Sequence, residues 1–188
     1  MTTKLHIKHM VSHRCKLAVR AALDQLGIAC KTIELGEAEI LHNLNGEQKA
    51  QLRNALQQIG LIVLEDKTDI LIEKIKCVIV EMVHYSEANQ YINFSDMLSE
   101  KLNLNYNYLS NLFSKNVGIT IEQFIINHKI ERAKELLIYD ELSLTEISYR
   151  LNYSSVAHLS NQFKKNTGVT PSHYKALGGK SRIKLEEL

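Results

Sequence analysis

Two periods of apolar spacing run along the chain, and the changes between them mark its elements. Residues 4–10 alternate, with Leu5, Ile7 and His9 on one side, which predicts a short strand. From Ser12 to Leu26 the spacing lengthens to three and four (Leu17, Ala18, Ala21, Ala22, Gln25), and Gly27 supplies a stop, so this segment predicts a helix. Lys31–Leu35 and Glu37–Leu41 read as short strands joined near Gly36. A second helix is expected over Asn45–Ile59, with Leu52, Leu56 and Ile59 as its stripe and Gly60 at its end. Leu61–Leu64 is a short apolar strand.

The resulting order, β-α-β-β-α-β, is the ferredoxin-like split arrangement. Asp66–Asp69 reads as a polar turn, and Ile70 to about His84 as one long helix carrying Leu71, Ile75, Val78, Ile79, Met82 and Val83 at helical spacing. That helix suits a docking element or a rigid connector. From residue 90 onward about seven helical segments are expected and no strand. The predicted fold class is therefore an α+β N-terminal ferredoxin-like module followed by an all-α domain. The expected division is 1–66, a connector at 67–89, a helical domain at 90–177 and a tail at 178–188, with the functional boundary near Tyr85–Gln90.

Composition narrows the class. The 188 residues are 45% hydrophobic and 23% charged, an ordinary globular balance, and one Pro with eight Gly excludes collagen-like and mucin-like chains. Three cysteines, Cys15, Cys30 and Cys77, make no disulfide framework. No signal-like or membrane-spanning apolar run is present, so a cytoplasmic location is expected. The phosphate motifs GxGxxG and GxxxxGK[ST] and the metalloprotease motif HExxH are absent, and no nucleophile–base pair stands out. The chain does not read as an enzyme. Its net charge of +2 is uninformative, but residues 77–141 carry a net −4 and residues 142–184 a net +6, with Glu146 as the single acid of the latter. One-signed charge of that kind is either a solvated face or a footprint for a polyanion.

The most informative feature is an internal repeat offset by fifty. Leu109, Ser110, Asn111, Phe113, Lys115, Asn116, Gly118 and Thr120 recur as Leu159, Ser160, Asn161, Phe163, Lys165, Asn166, Gly168 and Thr170. A short helix precedes each copy, Ser95–Leu102 and Thr145–Leu151, and each copy ends at a Gly. Helix, tight turn, amphipathic helix is the shape of a helix-turn-helix reader. Leu98, Leu102, Leu109, Leu112 and Phe113 are its core positions in the first copy; Ile147, Leu151, Leu159 and Phe163 are those of the second. Tyr106, Asn107, Ser110, Asn111 and Ser114 are left outward in copy one, and Ser155, Val156, Ser160 and Asn161 in copy two. Asn can pair with adenine through two hydrogen bonds, Ser can donate or accept, and a Val or Ala methyl can meet the thymine methyl. Lys115, Lys164 and Lys165 suit phosphates, as do Asn105 and Ser154, which are also sensible N-caps.

Residues 90–177 resemble the DNA-binding domain of the AraC/XylS family of bacterial transcription regulators. The signature lies over the second copy: Ile147, then Leu151–Ser155, then His158–Lys165, then Gly168–Lys175. The resemblance implies two helix-turn-helix units joined by a long central helix, about Thr120–Ile138. It also implies readout of two successive major-groove segments, ~34 Å apart, on one face of double-stranded DNA. The base-facing residues it implies are Asn107, Ser110 and Asn111, then Val156, Ala157, Ser160 and Asn161. The family commonly has Gly at Asn152 and Ala at Ser148, and often Arg at Asn111 and Asn161. Asn at the last two positions removes two positive charges and guanine contacts, and favours adenine and a salt-sensitive affinity.

Residues 4–64 resemble, more distantly, the heavy-metal-associated domains of copper chaperones and metal-transport ATPases. Met10 and Cys15 match the Met and the second Cys of that family's loop, while Ser12 stands at the first Cys. His9, His13 and Cys15 make a candidate set for a transition metal, as zinc, nickel or copper(II). The alternative is a module that keeps the fold without the site, with Ser12 capping the helix and Cys15 packed inside. Cys30 and Cys77 read as core residues. His128 and His158 read as core or groove-facing residues. The sequence thus predicts a DNA-binding regulator whose front module dimerises or senses, with homodimerisation through that module or the 70–84 helix. Its competitors are a helical protein–protein scaffold with slight DNA affinity and a metal-delivery protein.

Overall fold

A computed structural model describes residues 2–85, 93–139 and 141–178. It divides into two compact units, Met1–Cys77 and Val78–Leu188. The boundary expected near Tyr85–Gln90 lies, from residue 86 on, outside the described residues, as do residues 179–188 of the expected tail.

The first unit contains β1 (Thr3–Lys8), α1 (His13–Gln25), β2 (Cys30–Glu34), β3 (Glu37–Ile40), α2 (Gly46–Gln58) and β4 (Ile62–Leu64). The sheet order is β2-β3-β1-β4 and every neighbouring pair is antiparallel. This is the split arrangement expected from the chain. Register sets Leu5 opposite Ala38, Thr3 opposite Ile40 and Ile7 opposite Val63. The side-chain period of two then gathers the apolar members on one face and leaves Lys4, Glu37, Lys31 and Glu39 on the other. There Lys4 pairs with Glu37 at 2.6 Å and Lys31 with Glu39 at 3.2 Å. Ile7, Ala38 and Ile40 are buried with Val19, Ala22 and Leu23 of α1 and Leu52 and Leu56 of α2. The helical stripe of α1 is thus turned from the expected one: Leu17 is 58% exposed, and Ile59, at the end of α2, is 49% exposed. The Asn45 carboxamide and Gln48 form a reciprocal cap on α2.

The polar stretch at 66–69 is the start of a helix, not a turn. Asp66 Oδ1 accepts from the amides of Thr68 and Asp69, so α3 begins at Lys67 and runs to Val80. A single π-helical turn, Glu81–Tyr85, follows where one uninterrupted helix was expected. Within the first unit α3 is tied to the end of β1. Glu73 accepts from the amide of His9, a residue in the left-handed region (φ 72°).

Gly36 joins β2 to β3 and accepts from the amide of Ile7. Its φ is +77°, and a Cβ built there would lie 2.7 Å from the Cys77 sulfur.

Among the described residues the regular structure of the second unit is helical: α4 (Phe94–Leu102), α5 (Tyr106–Val117), α6 (Ile121–Tyr139), α7 (Leu144–Arg150), α8 (Val156–Thr167) and α9 (Pro171–Ala176). Six helices beyond the π turn, rather than about seven, are found among the described residues. α6 is enclosed by the others. Ile121, Phe124, Ile125, Ile130, Ala133, Leu136 and Leu137 are all buried on it. One core cluster joins its second half to Ile147, Leu151, Tyr153, Leu159, Phe163 and Tyr174.

Gly36→Ala is expected to cost the first unit about 1–2 kcal/mol from the left-handed backbone, with overpacking against Cys77 added. Adding Cys77→Ala should recover the overpacking part, which a double-mutant cycle in urea unfolding checks.

Candidate nucleic-acid interface

The fifty-residue repeat is a structural repeat. α5 and α8 begin fifty residues apart, at Tyr106 and Val156. Each ends at a left-handed glycine, Gly118 (φ 83°) and Gly168 (φ 82°), where a residue with a Cβ would be strained. Thr170 caps α9 by accepting from His173, and Thr120 likewise accepts from Gln123 at the start of α6. The turns before the two helices are not identical. Three residues separate α4 from α5 and five separate α7 from α8. Each turn bends through a left-handed Asn, Asn103 (φ 53°) or Asn152 (φ 54°). Asn tolerates that conformation better than other residues with a Cβ.

Core packing decides which face of each helix is presented. Leu109 and Phe113, like Leu159 and Phe163, have no exposed surface. Asn107, Ser110, Asn111 and Ser114 follow one another at helical spacing on the opposite side of α5, and Ala157, Ser160, Asn161 and Lys164 do so on α8. Asn107, Asn111, Ala157 and Asn161 are exposed; Ser110, Val156 and Ser160 are half-buried. Lys115, Lys164 and Lys165 are exposed at the C-terminal turns and form no ion pair among the described residues. Each helix thus shows a neutral polar stripe with lysine beyond it, the chemistry suited to base edges and phosphates respectively.

Three expected roles shift. Ser155, not Ser154, caps α8, with its hydroxyl accepting from the amide of His158. Ser154 instead lies 3.0 Å from Nδ1 of His158, whose ring stands edge-on to Tyr153. Asn105 does cap α5, accepting from the amide of Asn107. Tyr106 is half-buried rather than outward: its hydroxyl donates to Glu122 at 2.6 Å. Burial and this bond push the Tyr106 pKa up, and the same bond holds the Glu122 carboxyl below the usual range.

The contacts that seat the units on α6 were not visible in the sequence. Phe113 packs edge-on to Phe124 with centroids 5.3 Å apart. Asn127 accepts from Gln123 at 2.8 Å and from Asn166 of α8 at 3.4 Å. His128 is fully buried, with its ring 3.2 Å from His84 of the π turn. Lys134 donates to Glu131 at 2.5 Å, both nearly inaccessible. Lys129, which donates to the Asn152 carbonyl at 3.4 Å, did leave a trace in the sequence: it interrupts the apolar row Ile121, Ile125, Ala133, Leu137 along α6.

The metal set does not form. His13 is exposed, and the Cys15 sulfur lies 3.4 Å from the Ser12 hydroxyl and 3.8 Å from the His9 carbonyl. No group of three or more His, Cys, Asp or Glu side chains among the described residues could hold a metal ion. Ser12 occupies the N-cap position without a side-chain cap bond. Cys15 and Cys30 are half-buried and Cys77 buried, and none of the three is in a disulfide.

Two helix-turn-helix units on a shared central helix define a tandem helix-turn-helix domain. Residues 98–176 match the family model described as a helix-turn-helix domain, a model of the AraC type. The C-terminal domain of AraT, a response regulator from Geobacillus stearothermophilus, superposes with a TM-score of 0.51 at 26% identity, covering 63% of this chain and 92% of that one. The xylose operon regulatory protein of Escherichia coli (strain K12) is 26% identical over 157 residues, which is 83% of this chain and 40% of that protein. The uncharacterized HTH-type transcriptional regulator YtdP of Bacillus subtilis (strain 168) is 27% identical over 97 residues, 52% of this chain and 12% of that protein. The chain spans less than half the length of these curated relatives. No helix among the described residues is long and apolar enough to cross a membrane.

Burial lowers the Lys129 pKa from 10.5 to about 8. Because the folded value lies below the unfolded one, the cost of burying this cation is full below about pH 8 and relieved as pH rises toward 10.5. The stability gap between the wild-type chain and Lys129→Met is therefore expected to move in favour of wild type over that window, as read by urea unfolding.

Proposed function

We propose that the protein is a sequence-specific transcription regulator that binds double-stranded DNA through α5 and α8, each entering one of two successive major-groove segments. The observation that carries this reading is the duplicated polar stripe, held outward by the duplicated Leu–Phe core. Asn107, Ser110 and Asn111, with Val156, Ala157, Ser160 and Asn161, are assigned to base edges. Lys115, Lys164 and Lys165, at the C-terminal turns, are assigned to phosphates, as are Asn105 and Ser154 at the opposite, N-terminal ends of the two helices. The regulator names of the similar proteins support the reading as a transcription regulator. Operation in the cytoplasm follows from it. The Met1–Cys77 unit is then the input part, for self-association or sensing; sedimentation of the full chain checks the first.

Selection from a pool of random duplexes, followed by sequencing, tests the proposal. A bipartite motif with halves about one helical turn apart is the expected result. Retention without a motif would reduce the protein to a non-specific basic surface, and no retention even at low salt would favour a protein–protein scaffold. On the selected operator, Asn111→Ala and Asn161→Ala should each cost about 1–3 kcal/mol and relax specificity at one position. Lys164→Gln should instead weaken binding evenly across sequences and lower the salt slope by about 1.

A further inference from the structure

One cation of α6 touches both helix-turn-helix units. The Lys129 ammonium lies 5.3 Å from the centroid of the Phe94 ring, at the first turn of α4, and 5.1 Å from that of Tyr153, in the turn between α7 and α8. It also donates to the carbonyl of Asn152 at 3.4 Å. Asn152 is the left-handed residue on which that second turn bends. No carboxylate among the described residues pairs with Lys129. Its attraction to a ring face holds only within about 6 Å. The clamp therefore exists only while the start of α4 and the α7–α8 turn both stay within reach of one ammonium.

The polar and ring contacts described above between α6 and α5 or α8 each serve a single unit. Phe113 and Tyr106 seat α5 near Phe124 and Glu122. Asn166 seats α8 at Asn127. Between these lies a helix that bears both units. From this placement we infer that Lys129 is a positioning residue that fixes the separation of α5 and α8, and so the number of base pairs the protein requires between its two half-sites. One base pair is about 3.4 Å along the duplex. A displacement of that size takes a ring face out of reach of the ammonium, so the clamp has the length scale needed to reject an operator one base pair too long or too short. This inference rests on the DNA-reading proposal above.

The test uses the full chain and the selected operator, rebuilt with the half-site separation changed by one and two base pairs, with affinities read by fluorescence anisotropy. Wild type is expected to lose tenfold or more at a change of one base pair. Lys129→Met should lose threefold or less, Lys129→Arg should restore the preference, and both should bind an isolated half-site within twofold of wild type. Phe94→Leu, which removes one ring face while keeping an apolar side chain, should act like Lys129→Met and serves if that variant does not fold. A wild-type spacing profile in Lys129→Met and Phe94→Leu overturns the inference, and so does an equal loss on half-sites and full operator.

A second readout needs no DNA. Spin labels at Lys115→Cys and Lys165→Cys, with the three native cysteines replaced, report the distance between α5 and α8. The distribution should be narrow in wild type and Lys129→Arg and broad in Lys129→Met. If wild type selects no motif, the DNA reading fails by itself, and the label distances alone decide the clamp: broadening upholds it, and an unchanged distribution overturns it.

Discussion

The helical unit depends on two Leu–Phe pairs driven out of water against one helix. Leu109 with Phe113, and Leu159 with Phe163, have no exposed surface. Burial of each such side chain is worth about 1.5–3 kcal/mol. Turning α5 or α8 by one residue about its axis, roughly 100°, would bring these groups toward solvent. The apolar effect has no direction of its own, but through these pairs it sets the direction of Asn107, Asn111, Ala157 and Asn161. Accuracy in the outward stripe is a by-product of filling the inward one.

That arrangement places unusual demands on α6. A helix covered on nearly every side has few places for charge, yet Glu131 and Lys134 are buried there together. A buried pair of this kind adds little net stability and is costly to break from one side. With Lys129 and with His128 against His84, it makes the helix polar inside as well as apolar. Apolar side chains tolerate small slips and rotations. Hydrogen-bonded and ring-facing ones do not, so the register of the surrounding helices on α6 is more sharply defined than its Ile and Leu content would give.

What could be read from the chain was whatever repeats locally. The alternation of the strands and the glycines at 118 and 168 follow from neighbours within one or two turns, and the fifty-residue repeat follows from comparing the chain with itself. Element order, strand topology and the exposed stripes were accordingly legible. Contacts between side chains distant in sequence were not. Nothing in the local pattern pairs Tyr106 with Glu122 or Asn166 with Asn127, because each residue alone is an ordinary polar surface residue. Start points also slipped where two cap residues compete, as with Ser154 against Ser155, or where a polar run conceals a cap, as at Asp66. Spacing along the loop likewise did not reveal the surroundings of Cys15, whose thiol turns to Ser12 and the His9 carbonyl.

The two stripes are equal in shape and unequal in charge. Where α8 carries Lys164, α5 carries Ser114, and Arg150 and Lys175 add to the second half, while Asp96 and Glu100 lie on the first. On a duplex, the basic half would arrive first, held by an attraction indifferent to sequence. The neutral half would then meet its groove as a tethered group at a high effective concentration, never as a free one. Grip would thus rest more on the second half, while both halves read bases. A substitution adding charge to α5 would tighten binding everywhere while blunting the choice between sites.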